Sequence, residues 1–470
     1  MAMIAENFYR YGFDLFRPQI NWAGDSPGYV GTEFPLVPFL AALFYIPFGV
    51  HETIGRAISL FFATISFPVF YLLVKQFFGR RAAFIALGFY LISPLNIYYT
   101  RTFQPESAMI FFSIAMLYFF VRWLEGESKR DFIWAVIFAN LAFLVKIPSL
   151  ILAIPLFYLA WCRYRTALFY EKTLWLFVGL ILPLPLLWYS HAFSLAYANY
   201  PYNMFGDKEW ALRRTLNTLV MGEFYKIVGL NIVTVVLTPI GFLMALGGFL
   251  IPVSFKGGMG LFHIWMIAIV LYMLIGAWGN MTFGYYQLPL IPPATALIGR
   301  FGAFMQSMNL FPPMILIGLL LLTGYFSFTY VKPYYYPQDQ VYLETGRGVD
   351  RLTPHDALII AVDEGNPALL YYSRRKGWHF PEEHGIGWGN FTDGESAIRN
   401  LEALRQRGGA YLVIPSRFFW VLTHLEDFGV YLDRLYQRLV DDPSYMIYDL
   451  REESRDHNGE KKLLAAPARR

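Results

Sequence analysis

The stretch ISLFFATISFPVFYLLV (residues 58–74) runs into KQFFGRR (75–81) and then AAFIALGFYLISPLNIYY (82–99). Each apolar run is close to the ~20 residues that cross the hydrocarbon of a bilayer. Lys75, Arg80 and Arg81 crowd the turn between them, the mark of a cytoplasmic loop. Two crossings joined by a short basic turn therefore set the fold class: a polytopic α-helical membrane protein.

The pattern continues outward. Further spans are expected at Ser107–Phe120, Phe132–Val145, Leu150–Trp161, Leu174–Ser190, Ile232–Val253, Met259–Gly279, Gly284–Leu297 and Pro313–Val331, ten in all. Only 15% of the 470 residues are charged, against about 25% in a typical soluble domain. A lone cysteine, Cys162, excludes a disulfide framework and cysteine-based metal sites. No HExxH or paired-histidine spacing suggests a metal, and His191 and His263 each read as lone structural histidines. A net charge of +4 gives no case for nucleic acid.

Of the 34 acidic residues, 21 follow Val331, so a soluble part succeeds the membrane part. The expected organisation is an external amphipathic segment with a non-crossing helix (1–54), a transmembrane domain (55–331), a linker (332–349) and a small extracytoplasmic α/β domain (350–470). In that domain Asp356–Val362, Ala410–Ile414 and Tyr445–Leu450 read as strands. Pro367–Lys376, Glu395–Arg407 and Arg417–Leu439 read as helices. It shows no GxGxxG, P-loop or nucleophile elbow, and reads as a cap or acceptor-docking domain.

Basic clusters mark alternate connections as cytoplasmic: Lys75 with Arg80 and Arg81, Arg122 with Lys129 and Arg130, and Arg163 with Arg165 and Lys172. Counting through the spans places Glu33, the 191–229 loop and the C-terminal domain outside. Pro35–Gly49 then cannot cross. The first residues also lie outside with no signal peptide to export them, which a missing first span reconciles.

Five charges gather on that external face: Glu33, Arg56, Arg101, Glu106 and Lys146. Ionisable residues at the ends of apolar segments are functional hypotheses by default, although each alone is equally an interfacial anchor or a helix-end ion pair. Arg and Lys hold phosphate, and a carboxylate serves as general base to a hydroxyl. Tyr98, Tyr99, Tyr189, Tyr197, Tyr200, Tyr202, Tyr285 and Tyr286 fall on the same face, as stacking surfaces for a sugar or as an interfacial belt. The chemistry that fits is transfer from a phosphate-linked lipid donor.

The residues resemble a family in their order and spacing. Glu33-Phe34-Pro35-Leu36, Gly55-Arg56-Ala57, Phe78-Gly79-Arg80-Arg81, Ser93-Pro94, Arg101, Pro105-Glu106, Lys146 and Tyr285-Tyr286-Gln287-Leu288-Pro289 are similar to motifs of GT-C membrane glycosyltransferases. These are of the protein O-mannosyltransferase and lipid A aminoarabinose transferase type (glycosyltransferase family 39-like). The resemblance covers about residues 1–300. It implies a polyprenyl-phosphate sugar donor, inversion, and a lipid, glycan or protein acceptor at the outer face of a cell membrane. No cofactor or nucleic acid is implied.

The resemblance implies a catalytic carboxylate base, for which Glu33 is the best acidic candidate left. Glu106 would orient a cation or the acceptor, and Arg101 and Lys146, with Arg56, would hold the donor phosphate. Tyr285, Tyr286 and Gln287 would form the sugar or acceptor pocket. Relative to the family, the chain lacks the first span and the acidic motif after it. Glu106 stands where Asp is more frequent, and Phe283 where many members have His. A secondary transporter and an inactive scaffolding relative are the competing readings. No internal repeat supports the former, and its charges would sit at the midplane.

Overall fold

The computed structural model describes residues 1–199, 208–310, 312–336, 340–383 and 387–453. The chain forms two compact units. One runs from Glu33 to Ala192 and on to Tyr336, and the other joins Ala2–Thr32 to the chain beyond Tyr336.

The N-terminal helix α1 (Ala2–Tyr11) belongs to the second unit. The membrane unit carries α2 (Leu36–Phe48), α3 (Glu52–Ile92), α4 (Pro94–Tyr99), α5 (Glu106–Gly126), α6 (Lys129–Val145), α7 (Ala153–Tyr164), α8 (Lys172–Ile181) and, as far as Ala192, α9 (Pro183–Asn199). It continues with α10 (Lys208–Val220), α11 (Gly222–Asn231), α12 (Thr238–Leu250), α13 (Leu261–Ile275), α14 (Ala277–Thr282), α15 (Ile291–Ser307) and α16 (Pro313–Val331). Among the described residues six helical stretches are long and apolar enough to cross a bilayer. A bent pair, Leu212–Val220 with Gly222–Val236, makes a seventh.

The 41-residue α3 is not one rod. Gly79 breaks it at φ 80°, a left-handed conformation glycine adopts without steric cost. Ser66 Oγ then lies 3.1 Å from Tyr90 Oη, a pair that a straight helix would separate by roughly 36 Å. The stretch counted above as one is thus a hairpin of two arms, with Arg80 and Arg81 beside the break at Gly79. By contrast α2, at 13 residues, spans only about 20 Å and is too short for a ~30 Å hydrocarbon core.

The second unit adds α17 (Gln340–Leu352), α18 (Ala368–Tyr372), α19 (Gly394–Gln406), α20 (Trp420–His424) and α21 (Glu426–Leu435). Its sheet has the order β2-β1-β5-β7-β6: β1 (Leu358–Val362), β2 (Gly377–Phe380), β5 (Gly409–Pro415), β6 (Tyr436–Asp442) and β7 (Tyr445–Glu453). A separate pair joins β3 (Glu382–Glu383) to β4 (Gly387–Trp388). β1 runs parallel to β2 and β5, and β7 runs antiparallel to β5 and β6.

The three strands expected from sequence are β1, β5 and β7. The helix expected over Arg417–Leu439 instead breaks after Leu435 into β6, because Tyr436–Asp442 gains a partner in β7. The helix expected over Pro367–Lys376 stops at Tyr372, and Gly377–Phe380 becomes a buried strand.

The N-terminal segment is part of this unit and not a continuation of 33–54. Gly24 N donates to Gly377 O (2.7 Å) and Gly377 N to Asn21 O (2.9 Å), across the start of β2. Gly24 has φ +61°, and a Cβ there would lie 2.0 Å from the buried Trp378 ring. Glu6, itself buried, pairs with Arg10 at 2.6 Å and reaches Arg374 at 4.0 Å.

Candidate functional site

Helix geometry brings the central charges together. Glu127, at φ 51°, and Ser128, whose side chain caps α6 by accepting from Asp131 N, turn α5 back into α6. The start of α5 therefore meets the end of α6. Glu106 occupies the first turn of α5, where a carboxylate is favoured by the helix dipole. At the far end α6 stops because Lys146 is extended (φ −153°, ψ 120°). The chain then resumes as a tight helical turn from Ile147, with Ser149 N donating to Lys146 O at 3.0 Å.

Lys146 Nζ lies 2.7 Å from Glu106 Oε1 and 4.0 Å from Glu33 Oε2. The side chains are 12%, 3% and 16% exposed for Lys146, Glu106 and Glu33. Glu33 is pinned through its neighbour, as Phe34 N donates to Leu144 O at 3.1 Å. Burial pushes the Glu33 carboxyl up to about 7, against the downward pull of Lys146 and with the upward push of Glu106. The second oxygen of Glu106 is buried with no hydrogen-bond partner. Glu106 lines a small cavity together with Ser66, Tyr90, Asn96 and Tyr99.

An aromatic strip covers the lysine. The ammonium sits 4.9 Å from the Tyr285 ring centroid and 5.4 Å from that of Tyr286. Tyr286 packs close because Gly279 carries no Cβ, which would otherwise meet it at 2.7 Å. From Tyr285 the strip passes to Tyr99 (6.0 Å) and Tyr98 (5.0 Å further), then to Tyr334 and Tyr335. Arg101 lies at its end, 4.0 Å above the Tyr335 ring.

Three of the five charges thus gather at one point, with Lys146 between Glu106 and Glu33. Arg101 joins them through the tyrosine rings. Arg56 instead pairs with Glu52 at 3.4 Å, more than half exposed. Its helix start nevertheless rests on the Arg101–Glu106 loop: Ser59 Oγ donates to Gln104 O at 3.2 Å, and Gly55 lies under Phe103. Gln287 is fully buried and donates to Asn280 O at 2.8 Å, which fixes the turn beneath the tyrosines.

Tyr189 is buried and donates to backbone carbonyls, whereas Tyr197 is exposed. Tyr200 and Tyr202 lie outside the described residues. His263 is buried, with Nε2 3.2 Å from Phe249 O and 3.0 Å from Arg300 Nη1, and the ring of His191 packs by Trp188. Tyr334 and Tyr335, read from sequence as linker, belong to the strip. Nothing in the linker sequence singled out a partner for Arg101. Among the described residues no three His, Cys, Asp or Glu side chains gather as a metal-binding group.

Residues 26–189 match the family model of dolichyl-phosphate-mannose-protein mannosyltransferases. The fold is similar to that of ArnT from Cupriavidus metallidurans bound to undecaprenyl phosphate. The TM-score is 0.60 at 13% identity, covering 96% of this chain and 92% of that one. It is also similar to the Archaeoglobus fulgidus oligosaccharyltransferase in complex with zinc and sulfate, with TM-score 0.62, 16% identity and coverage of 95% and 68%. The oligosaccharyltransferase AglB of the same organism, in complex with an inhibitory peptide and a dolichol-phosphate, gives 0.59, 13%, 97% and 70%. No curated protein matches the chain in sequence. The fold is GT-C-like.

Proposed function

We propose that this chain, a polytopic membrane protein with a GT-C-like fold and a mannosyltransferase-family segment, moves a sugar from a polyprenyl-phosphate donor to an acceptor at the outer face of the membrane. The observation that carries the reading is a buried ammonium shared by two carboxylates and roofed by two tyrosine rings.

Lys146 offers three N–H donors. Glu106 takes one at 2.7 Å, and Glu33 is only a distant second partner, which leaves a donor for a phosphate oxygen. Departure of the polyprenyl phosphate builds negative charge on that oxygen, and a fixed cation in a water-poor site stabilises it. Arg101 adds a second cation, and Arg56 lies further out. Glu33 takes the proton of the acceptor hydroxyl or amine as its lone pair attacks the anomeric carbon from the face opposite the leaving group, giving inversion. Glu106 holds Lys146 in place. Tyr285 and Tyr286 offer faces to the sugar, with Gln287 supporting them from below.

The test is sugar transfer in proteoliposomes supplied with a polyprenyl-phosphate sugar and an acceptor extract. The reading predicts release of polyprenyl phosphate together with a glycosylated product. Uptake of solute into sealed vesicles without product would favour the transporter reading.

A further inference from the structure

The last four carbonyls of an α-helix have no intrahelical partner. Many helices solve this with a glycine in the left-handed conformation just past the end. α6 has Lys146 there, in an extended conformation; Lys146 N still donates to Ala142 O at 3.2 Å, and the next two carbonyls, of Phe143 and Leu144, are met from elsewhere. Two groups meet them. Phe34 N donates to Leu144 O at 3.1 Å. Tyr189 Oη, from α9, shares its proton between Leu144 O at 3.0 Å and Phe143 O at 3.2 Å. Its neighbour Trp188 meets the Phe34 ring edge-on, with centroids 4.9 Å apart. Two adjacent residues of α9 thus hold both the residue following Glu33 and the turn that presents Lys146. All of these groups lie within the membrane unit.

We propose that Tyr189 is a positioning residue for the transfer reaction: by capping the open end of α6 it fixes the spacing between Glu33 and Lys146. The inference rests on the sugar-transfer reading above. Tyr189 acts through the Leu144 carbonyl, onto which Glu33 and Lys146 are both tethered within two residues of chain. Base and phosphate ligand must serve one anomeric carbon together, and a misplacement of about 1 Å costs up to ~10²-fold in rate.

The test uses the full chain in proteoliposomes. Tyr189→Phe keeps the ring and removes only the donor. Asn140→Ala is the control. It removes another tertiary bond of α6, Asn140 Nδ2 to Leu180 O at 3.1 Å, away from the helix end. Tyr189→Phe is expected to lower kcat by about 10- to 10²-fold with little change in donor KM. It should also speed amide hydrogen exchange in the peptide holding Phe34. Asn140→Ala should leave kcat and that exchange near wild type. Wild-type kcat in Tyr189→Phe, or an equal kcat loss in Asn140→Ala, would overturn the proposal. If the wild type transfers no sugar, the transfer reading fails, while exchange at Phe34 still decides whether Tyr189 is the clamp.

Discussion

Removing Lys146 should reveal how the site balances its charge. Lys146→Met leaves Glu33 and Glu106 facing each other with no cation, both in a largely buried setting. Breaking a buried ion pair by deleting one partner typically costs about 3–5 kcal/mol. Glu106→Gln is milder. Lys146 loses its 2.7 Å partner but keeps Glu33 at 4.0 Å, so the cost should fall to about 1–3 kcal/mol, that of one unmade charged hydrogen bond. The double variant leaves a single carboxylate, Glu33, which burial already pushes up to about 7 and which can take a proton. Its cost should therefore lie well below the sum of the singles, with a coupling within the roughly 0.5–3 kcal/mol range for contacting residues. Reversible unfolding in mixed micelles, read by tryptophan fluorescence, measures all three. A loss below about 1 kcal/mol for Lys146→Met, the level of exposed pairs, or strict additivity in the double variant, would refute the buried triad.

Transfer should climb roughly tenfold between about pH 6 and about pH 8, since a base must be deprotonated to act and Glu33 titrates at about 7. In Glu106→Gln the rise should move to lower pH, because Glu106 pushes that carboxyl up; a rise near pH 4–5 in wild type would contradict this. Gly24→Val drives a side chain into Trp378 and forces a β-branched residue into φ +61°. It should loosen residues 2–32 from the C-terminal sheet and expose them to limited proteolysis. For topology, Asn390→Cys in a Cys162→Ala background should be labelled from outside sealed cells, and Glu127→Cys should be protected.

The polytopic helical class was legible because hydrophobic runs and basic turns follow from the bilayer itself, but the ten spans expected from those runs compare with six or seven helical stretches of sufficient length among the described residues. The residues of the charge cluster were legible for the same reason: Glu33, Glu106 and Lys146 stand out where charge is costly. The geometry joining them was not. That Glu106 and not Glu33 is the close partner of Lys146 depends on how the short turn at Glu127–Ser128 aligns two helix ends. Arg56 looked equivalent in sequence, yet its i−4 neighbour Glu52 supplies a local pair. β2 and β6 were missed because Gly377–Phe380 is too short to show a period, and Tyr436–Asp442 takes its strand character from pairing with β7. The role of Asn21 and Gly24 at the β2 edge is a contact more than 350 residues apart in sequence, beyond what local pattern can report.

The central claim is that Glu33 and Lys146 serve one reaction. The most direct measurement is single-turnover sugar transfer by the full chain and by Glu33→Gln in proteoliposomes, with donor binding measured in parallel. The account predicts that Glu33→Gln loses about 10²- to 10⁴-fold in transfer, the usual contribution of a general base, while donor binding stays within a few-fold of wild type. Transfer at the wild-type rate in Glu33→Gln would contradict it and place the base elsewhere.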